Sequence, residues 1–133
     1  MHILIGGFII LHGLVHFLYL GHSQRFFELQ SGMTWPEGAW LFSRWLGAST
    51  VRLLASLALG IAGLALVAGG ITLLTGQEGW RGLVTAAALF SAVVFLLFWD
   101  GSLRRLDTQG IIGILIDLAL VVLALTVQLP AAS

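Results

Sequence analysis

Two histidines one helical turn apart and a single aspartate far downstream are the residues whose types and spacing bear most on chemistry: His12, His16 and Asp117. All three fall inside long apolar stretches, where an ionisable side chain costs at least about 2.5 kcal/mol and therefore faces the protein interior and pairs. At i and i+4 the two imidazoles share one helix face, and Tyr19 continues that face. Counted from a helix end at Leu20, His16 lies about 6 Å and His12 about 12 Å inside, at a rise of about 1.5 Å per residue. Counted from a start at Ile111, Asp117 lies about 9 Å inside, so the carboxyl group falls between the two imidazoles in depth. If the two helices touch, one centre holds all three, with Arg52, Ser56 and Ser91 available from the intervening helices.

Three uses of such a centre follow from its chemistry. The first is a hydrogen-bonded fastener between helices, since polar side chains join helices where lipid removes the hydrophobic drive. The second is a pocket for a hydrophobic small molecule, a quinone or a lipid headgroup, or a proton-linked site. The third is a metal centre, because two histidines and one carboxylate are the ligand set of non-haem iron and also serve zinc.

Other chemistries are excluded or disfavoured. The chain has no cysteine, which removes disulfides, thiolate nucleophiles and iron–sulfur ligation. All four histidines lie within the first 22 residues, so two axial haem ligands from different helices would require a second copy. His2 and His22 sit near the ends of the first apolar stretch and read as interfacial. No Walker loop, dinucleotide fingerprint or nucleophile elbow is present. Six arginines balance six acidic residues, which gives no electrostatic footprint for nucleic acid.

The elements that must position these residues are membrane helices. Of 133 residues 59% are hydrophobic and 9% charged, and the mean hydropathy is +1.03. A soluble domain of this size leaves too many residues facing water to hide that much apolar surface. A helix needs about 20 apolar residues to cross the hydrocarbon. Four stretches qualify, over about 3–20, 51–74, 80–99 and 111–129. The first has no basic segment before it and no small-residue cleavage site after it, so it reads as a span rather than a signal peptide. Ser49 or Thr50 is the expected cap of the second helix and Asp107 or Thr108 that of the fourth, with Pro130 just beyond its end.

Short links at 76–79 and 100–110 make successive helices antiparallel neighbours, so the fold class expected is all-α: one domain, 1–133, an up-down-up-down four-helix membrane bundle. The long connection, about 22–47, carries Phe26, Phe27, Trp35, Trp40, Phe42 and Trp45 among a few charges. Thr34-Trp35-Pro36-Glu37 fits a capping box with proline in the first turn, predicting an amphipathic helix to about Leu46. Aromatics mixed with arginine predict a segment lying in the headgroup region; a lid over the bundle end is the alternative. Arg25, Arg44, Arg52, Arg104 and Arg105 fall on one side of the bundle and only Arg81 on the other. The positive-inside rule then leaves both termini on the non-cytoplasmic side of a cell membrane.

Gly7-Phe8-Ile9-Ile10-Leu11-His12-Gly13-Leu14-Val15-His16 resembles the opening helix of DoxX-like small four-helix membrane proteins. The resemblance implies a membrane partner of an oxidoreductase or redox-stress complex, and carries over only His12 and Gly13 by position. The function expected is thus a non-enzymatic membrane component that binds a protein partner, a second copy or a hydrophobic small molecule. A metal- or quinone-linked oxidoreductase subunit using His12, His16 and Asp117 is one alternative; an oligomeric transporter or channel is the other.

Overall fold

Among the described residues, runs of Leu, Ile, Val and Ala uninterrupted by proline form four α-helices: α1 (His2–Ser23), α2 (Ala48–Leu74), α3 (Trp80–Leu97) and α4 (Ile111–Thr126). The computed structural model describes residues 1–129, and no strand occurs among the described residues. Pro130 lies outside them. α1, α2 and α3 are long and apolar enough to cross a membrane. α4 is apolar but has 16 residues, about 24 Å of helix at the standard rise, against a hydrocarbon core of about 30 Å.

The distribution of residue types is inverted relative to a soluble bundle. Along α1 the buried positions are Gly6, Ile9, His12, Gly13, His16, Gly21, His22 and Ser23, while Ile3, Leu4, Leu11, Leu14 and Leu18 are exposed. On α4 the buried residues are Asp117, Leu120 and Ala124, and Ile112, Leu115, Leu118, Val122 and Leu125 face outward. Small and polar groups inside with large aliphatics outside is the arrangement lipid imposes, because the surrounding solvent is as apolar as leucine.

α1 packs on α2, α2 on α3 and α3 on α4. The first of these contacts is a glycine seam. A Cβ on Gly13 would lie 2.9 Å from the Gly63 carbonyl oxygen, and one on Gly63 would lie 3.0 Å from the Gly13 oxygen. Gly6 and Gly70 repeat this one heptad away, at 3.2 and 2.8 Å from each other's carbonyl oxygens. Backbones meet directly where side chains would otherwise hold them apart. Further along α2, Ala62 is buried, and Gly69 lies against Val84 of α3.

Two caps differ from expectation. α2 begins at Ala48 with Gly47 as its N-cap, and Ser49 receives a hydrogen bond from Arg52 instead. α4 is capped by Gly110 at φ +85°, a left-handed conformation that suits glycine; any Cβ there would also strike the Phe95 ring. Thr108 donates to the Arg105 carbonyl within a 3-10 turn, Leu106–Thr108. At the far end of α4, Arg81 of α3 donates to the carbonyls of Ala124 and Val127. A cation there satisfies groups the helix end leaves without partners.

The amphipathic helix expected over 34–46 is not formed. Ala39 N–H donates to Pro36 O in a turn, but Trp40 N–H donates to Trp99 O at 2.7 Å, so the helical ladder breaks at that residue. The Trp40 indole donates to Leu96 O, also on the bundle. Met33, Trp35 and Ala39 are buried against Val51, Ala55, Leu59, Phe95 and Phe98. The connection is therefore a series of turns packed across one end of the bundle, and Phe26 and Trp45 project outward from it, 77% and 83% exposed.

Candidate functional site

Two apolar clusters lie along the packed helices, and polar side chains stand between them. Ile9, Leu66, Leu73, Trp80, Ala88 and Leu120 belong to one cluster; Val51, Leu59, Val94 and Phe95, with Tyr19 and Ile114 against them, belong to the other. Between these levels lie His12 and His16 on α1, Ser91 on α3 and Asp117 on α4. Their exposures are 5%, 1%, 0% and 0% respectively.

The helices place these groups in one hydrogen-bonded chain. His12 Nε2–H donates to Asp117 Oδ1 at 2.7 Å. His16 Nδ1–H donates to the His12 carbonyl at 2.9 Å, which leaves its Nε2 lone pair to accept from the Ser91 hydroxyl at 2.6 Å. The two imidazoles meet edge to face, with ring centroids 5.0 Å apart. Asp117 Oδ2 is buried and without a hydrogen-bond partner. α1 and α4 thus meet at His12 and Asp117, and Ser91 joins from α3.

The remaining candidates go elsewhere. Tyr19 contributes its ring to an aromatic cluster one turn along, 5.2 Å from Phe95 and 5.4 Å from Trp35, centroid to centroid. Phe95 in turn lies 5.8 Å from His16, so this cluster closes the polar layer on the side of the long connection. Arg52 and Ser56 do not reach the histidines. Both belong to the opening turns of α2, level with the end of α1, where Ser23 and Ser56 hydroxyls converge on the Arg52 carbonyl and Gln24 donates to Ser56. At the level of His12 the facing surface of α2 is Gly63 and Val67, which carry no polar side chain.

A second polar group, missed from sequence, surrounds Glu37. Its Oε1 accepts from Arg52 at 2.7 Å and also pairs with Arg25, joining the end of α1, the long connection and the start of α2. These residues border an open cavity of about 300 Å³ together with His22 and Trp35. The signal was present in the capping-box glutamate, but a helix-start reading assigns its carboxylate to a backbone amide instead. An apolar groove of about 170 Å³ lies between α3 and α4, lined by Phe95, Trp99, Leu106 and Ile114 among others.

Chemically the polar layer offers two imidazoles, a carboxyl group with one oxygen uncommitted, and a hydroxyl, all shielded from water. It can hold a proton or a cation. It contains no thiol, and its serine hydroxyl is engaged as a donor to His16. Searches against family models, curated proteins and solved structures return no match to this chain.

Proposed function

We propose that this chain is a four-span, up-down-up-down membrane protein that serves as a binding component, with the His12–Asp117–His16–Ser91 layer as its binding centre. The observation that carries the reading is Asp117 Oδ2, an oxygen wholly buried and unpartnered. Buried polar atoms are nearly always satisfied, and one left open inside a membrane bundle is costly to keep for stability alone. Antiparallel order is supported by the glycine seam, in which Gly6 faces Gly70 and Gly13 faces Gly63, and by Arg81 near the start of α3 reaching the end of α4. The arginine distribution favours a cytoplasmic long connection and both termini outside. Phe26 and Trp45 suit contact with headgroups there. The likeness of residues 7–16 to the DoxX-like opening helix extends the reading to a membrane partner of a redox complex.

A hydrophobic small molecule, quinone included, has its own support in the apolar groove between α3 and α4, whose Phe95 also touches His16.

The test of the binding-centre reading is the double substitution His12→Leu/Asp117→Leu. Replacing both partners by apolar groups of similar size is near neutral or stabilising when the pair is not needed for folding. The purified double variant is expected to insert and melt within a few degrees of the native chain in detergent. Failure of the double variant to fold would contradict the binding-centre reading.

A further inference from the structure

We infer that the polar layer is a site for one divalent transition-metal ion, zinc or ferrous iron by ligand class, held by His12, His16 and Asp117. The inference rests on the binding-centre reading above and names its occupant. One candidate ligand atom from each of the three side chains lies within 4.8 Å of the others, and all three side chains are buried. Around a tetrahedral ion with bonds of about 2.0–2.1 Å, ligand atoms stand about 3.3 Å apart. The difference lies within reach of rotation about the broad terminal torsions of histidine and aspartate, without moving a helix.

Two features favour an ion over a plain hydrogen-bond network. The first is His16: its Nδ1–H is committed to a backbone carbonyl, which fixes a ligating tautomer and leaves the Nε2 lone pair free for a metal. The second is the open Oδ2 of Asp117, which gives the carboxylate a free donor while Oδ1 faces His12. For His12 to ligate through Nε2, the proton that atom shares with Asp117 Oδ1 passes to Nδ1 of the same ring, which keeps the imidazole neutral, and His16 Nε2 gives up the hydrogen bond from Ser91. One carboxylate leaves one positive charge of the ion uncompensated. A dry site favours meeting that charge with an anionic fourth ligand, hydroxide from bound water being the smallest. The ligand set has no sulfur, which disfavours cuprous ion.

The experiment loads the full-length chain in detergent with Zn²⁺ or Co²⁺, removes free metal by gel filtration, and measures metal per chain. One equivalent is expected in the native chain, retained in His2→Ala and His22→Ala and lost in His16→Ala and Asp117→Asn. The Ser91→Ala variant is expected to keep the metal, because His16 Nε2 is then released from its hydrogen bond; the bound Co²⁺ spectrum should be that of a four-coordinate nitrogen–oxygen site. Metal absent from a folded native chain, or lost on replacing His2 or His22 instead, overturns the inference. If His16→Ala does not fold, the Ser91→Ala and Asp117→Asn results decide alone. The binding-centre reading is judged separately by the melting of His12→Leu/Asp117→Leu, so the two fail in different measurements.

Discussion

Gly13→Ala adds one methyl group where the backbones of α1 and α2 meet. The new Cβ would stand 2.9 Å from Gly63 O and 3.0 Å from Val67 N, both backbone atoms. Ordinary contact begins near 3.4 Å, so the two helices must separate by about 0.5 Å at the residue next to His12. Overpacking of this kind costs about 1–3 kcal/mol. Gly7→Ala makes the same chemical change on the same helix, yet its Cβ would meet nothing within 4 Å. There the gain in helix propensity, up to about 1 kcal/mol, is unopposed. The two variants should therefore differ by about 1–4 kcal/mol, roughly fivefold to several hundredfold in the unfolding equilibrium. Equilibrium unfolding in mixed micelles of mild detergent and sodium dodecyl sulfate, followed by far-UV circular dichroism, reads that difference directly. If Gly13→Ala is as harmless as Gly7→Ala, the close approach of α1 and α2 is wrong, and with it the register that sets His12 opposite α4.

Four further outcomes are expected. In a double-mutant cycle, His12→Leu and Asp117→Leu should show coupling at the upper part of the range for interhelical hydrogen bonds in membranes, about 0.6–1.7 kcal/mol; additive effects would mean the pair does not form. Arg81→Gln should raise hydrogen exchange of the last turn of α4 roughly ten- to a hundredfold, since charged hydrogen bonds contribute roughly 1.5–3 kcal/mol; unchanged exchange would show that the carbonyls of Ala124 and Val127 do not depend on it. Glu37→Gln should loosen the join between α1, α2 and the connection, increasing proteolysis within 24–47 at constant global stability. A reporter fused after Ser133 should be active only on the non-cytoplasmic face, and cytoplasmic activity would reverse the proposed orientation.

The helices were legible in the sequence because their physics is one-dimensional. An apolar run of membrane length with no internal proline has little else to form, and α2 and α3 open within a few residues of the expected positions. The meeting of His12, His16 and Asp117 was legible by depth alone, since ionisable groups at equal depth in a bundle seek each other. Ser91, named only as available from a neighbouring helix, joins the centre; Arg52 and Ser56, named on the same ground, lie level with Ser23 rather than His16, because a sequence does not reveal the register of one helix against its neighbour. That register is set by Gly6, Gly13, Gly63 and Gly70, and a glycine among many apolar residues does not announce its partner. The connection was misread for a different reason. Thr34-Trp35-Pro36-Glu37 carries genuine helix-start chemistry, but the bundle end offers the carbonyl of Trp99 to Trp40 N–H, and this tertiary bond replaces the helical one.

A centre shared by His12, His16 and Asp117 requires α1 and α4 to face each other at the polar layer. Because the chain contains no cysteine, a His12→Cys/Asp117→Cys variant carries only the thiols under test, and a protease site placed in the 100–110 link reports their joining within one chain. In native membranes, a short thiol cross-linker should hold the two fragments together for this pair and not for His12→Cys/Leu118→Cys, whose second position faces outward. Fragments that separate for the first pair, or remain joined equally for both, would contradict that arrangement.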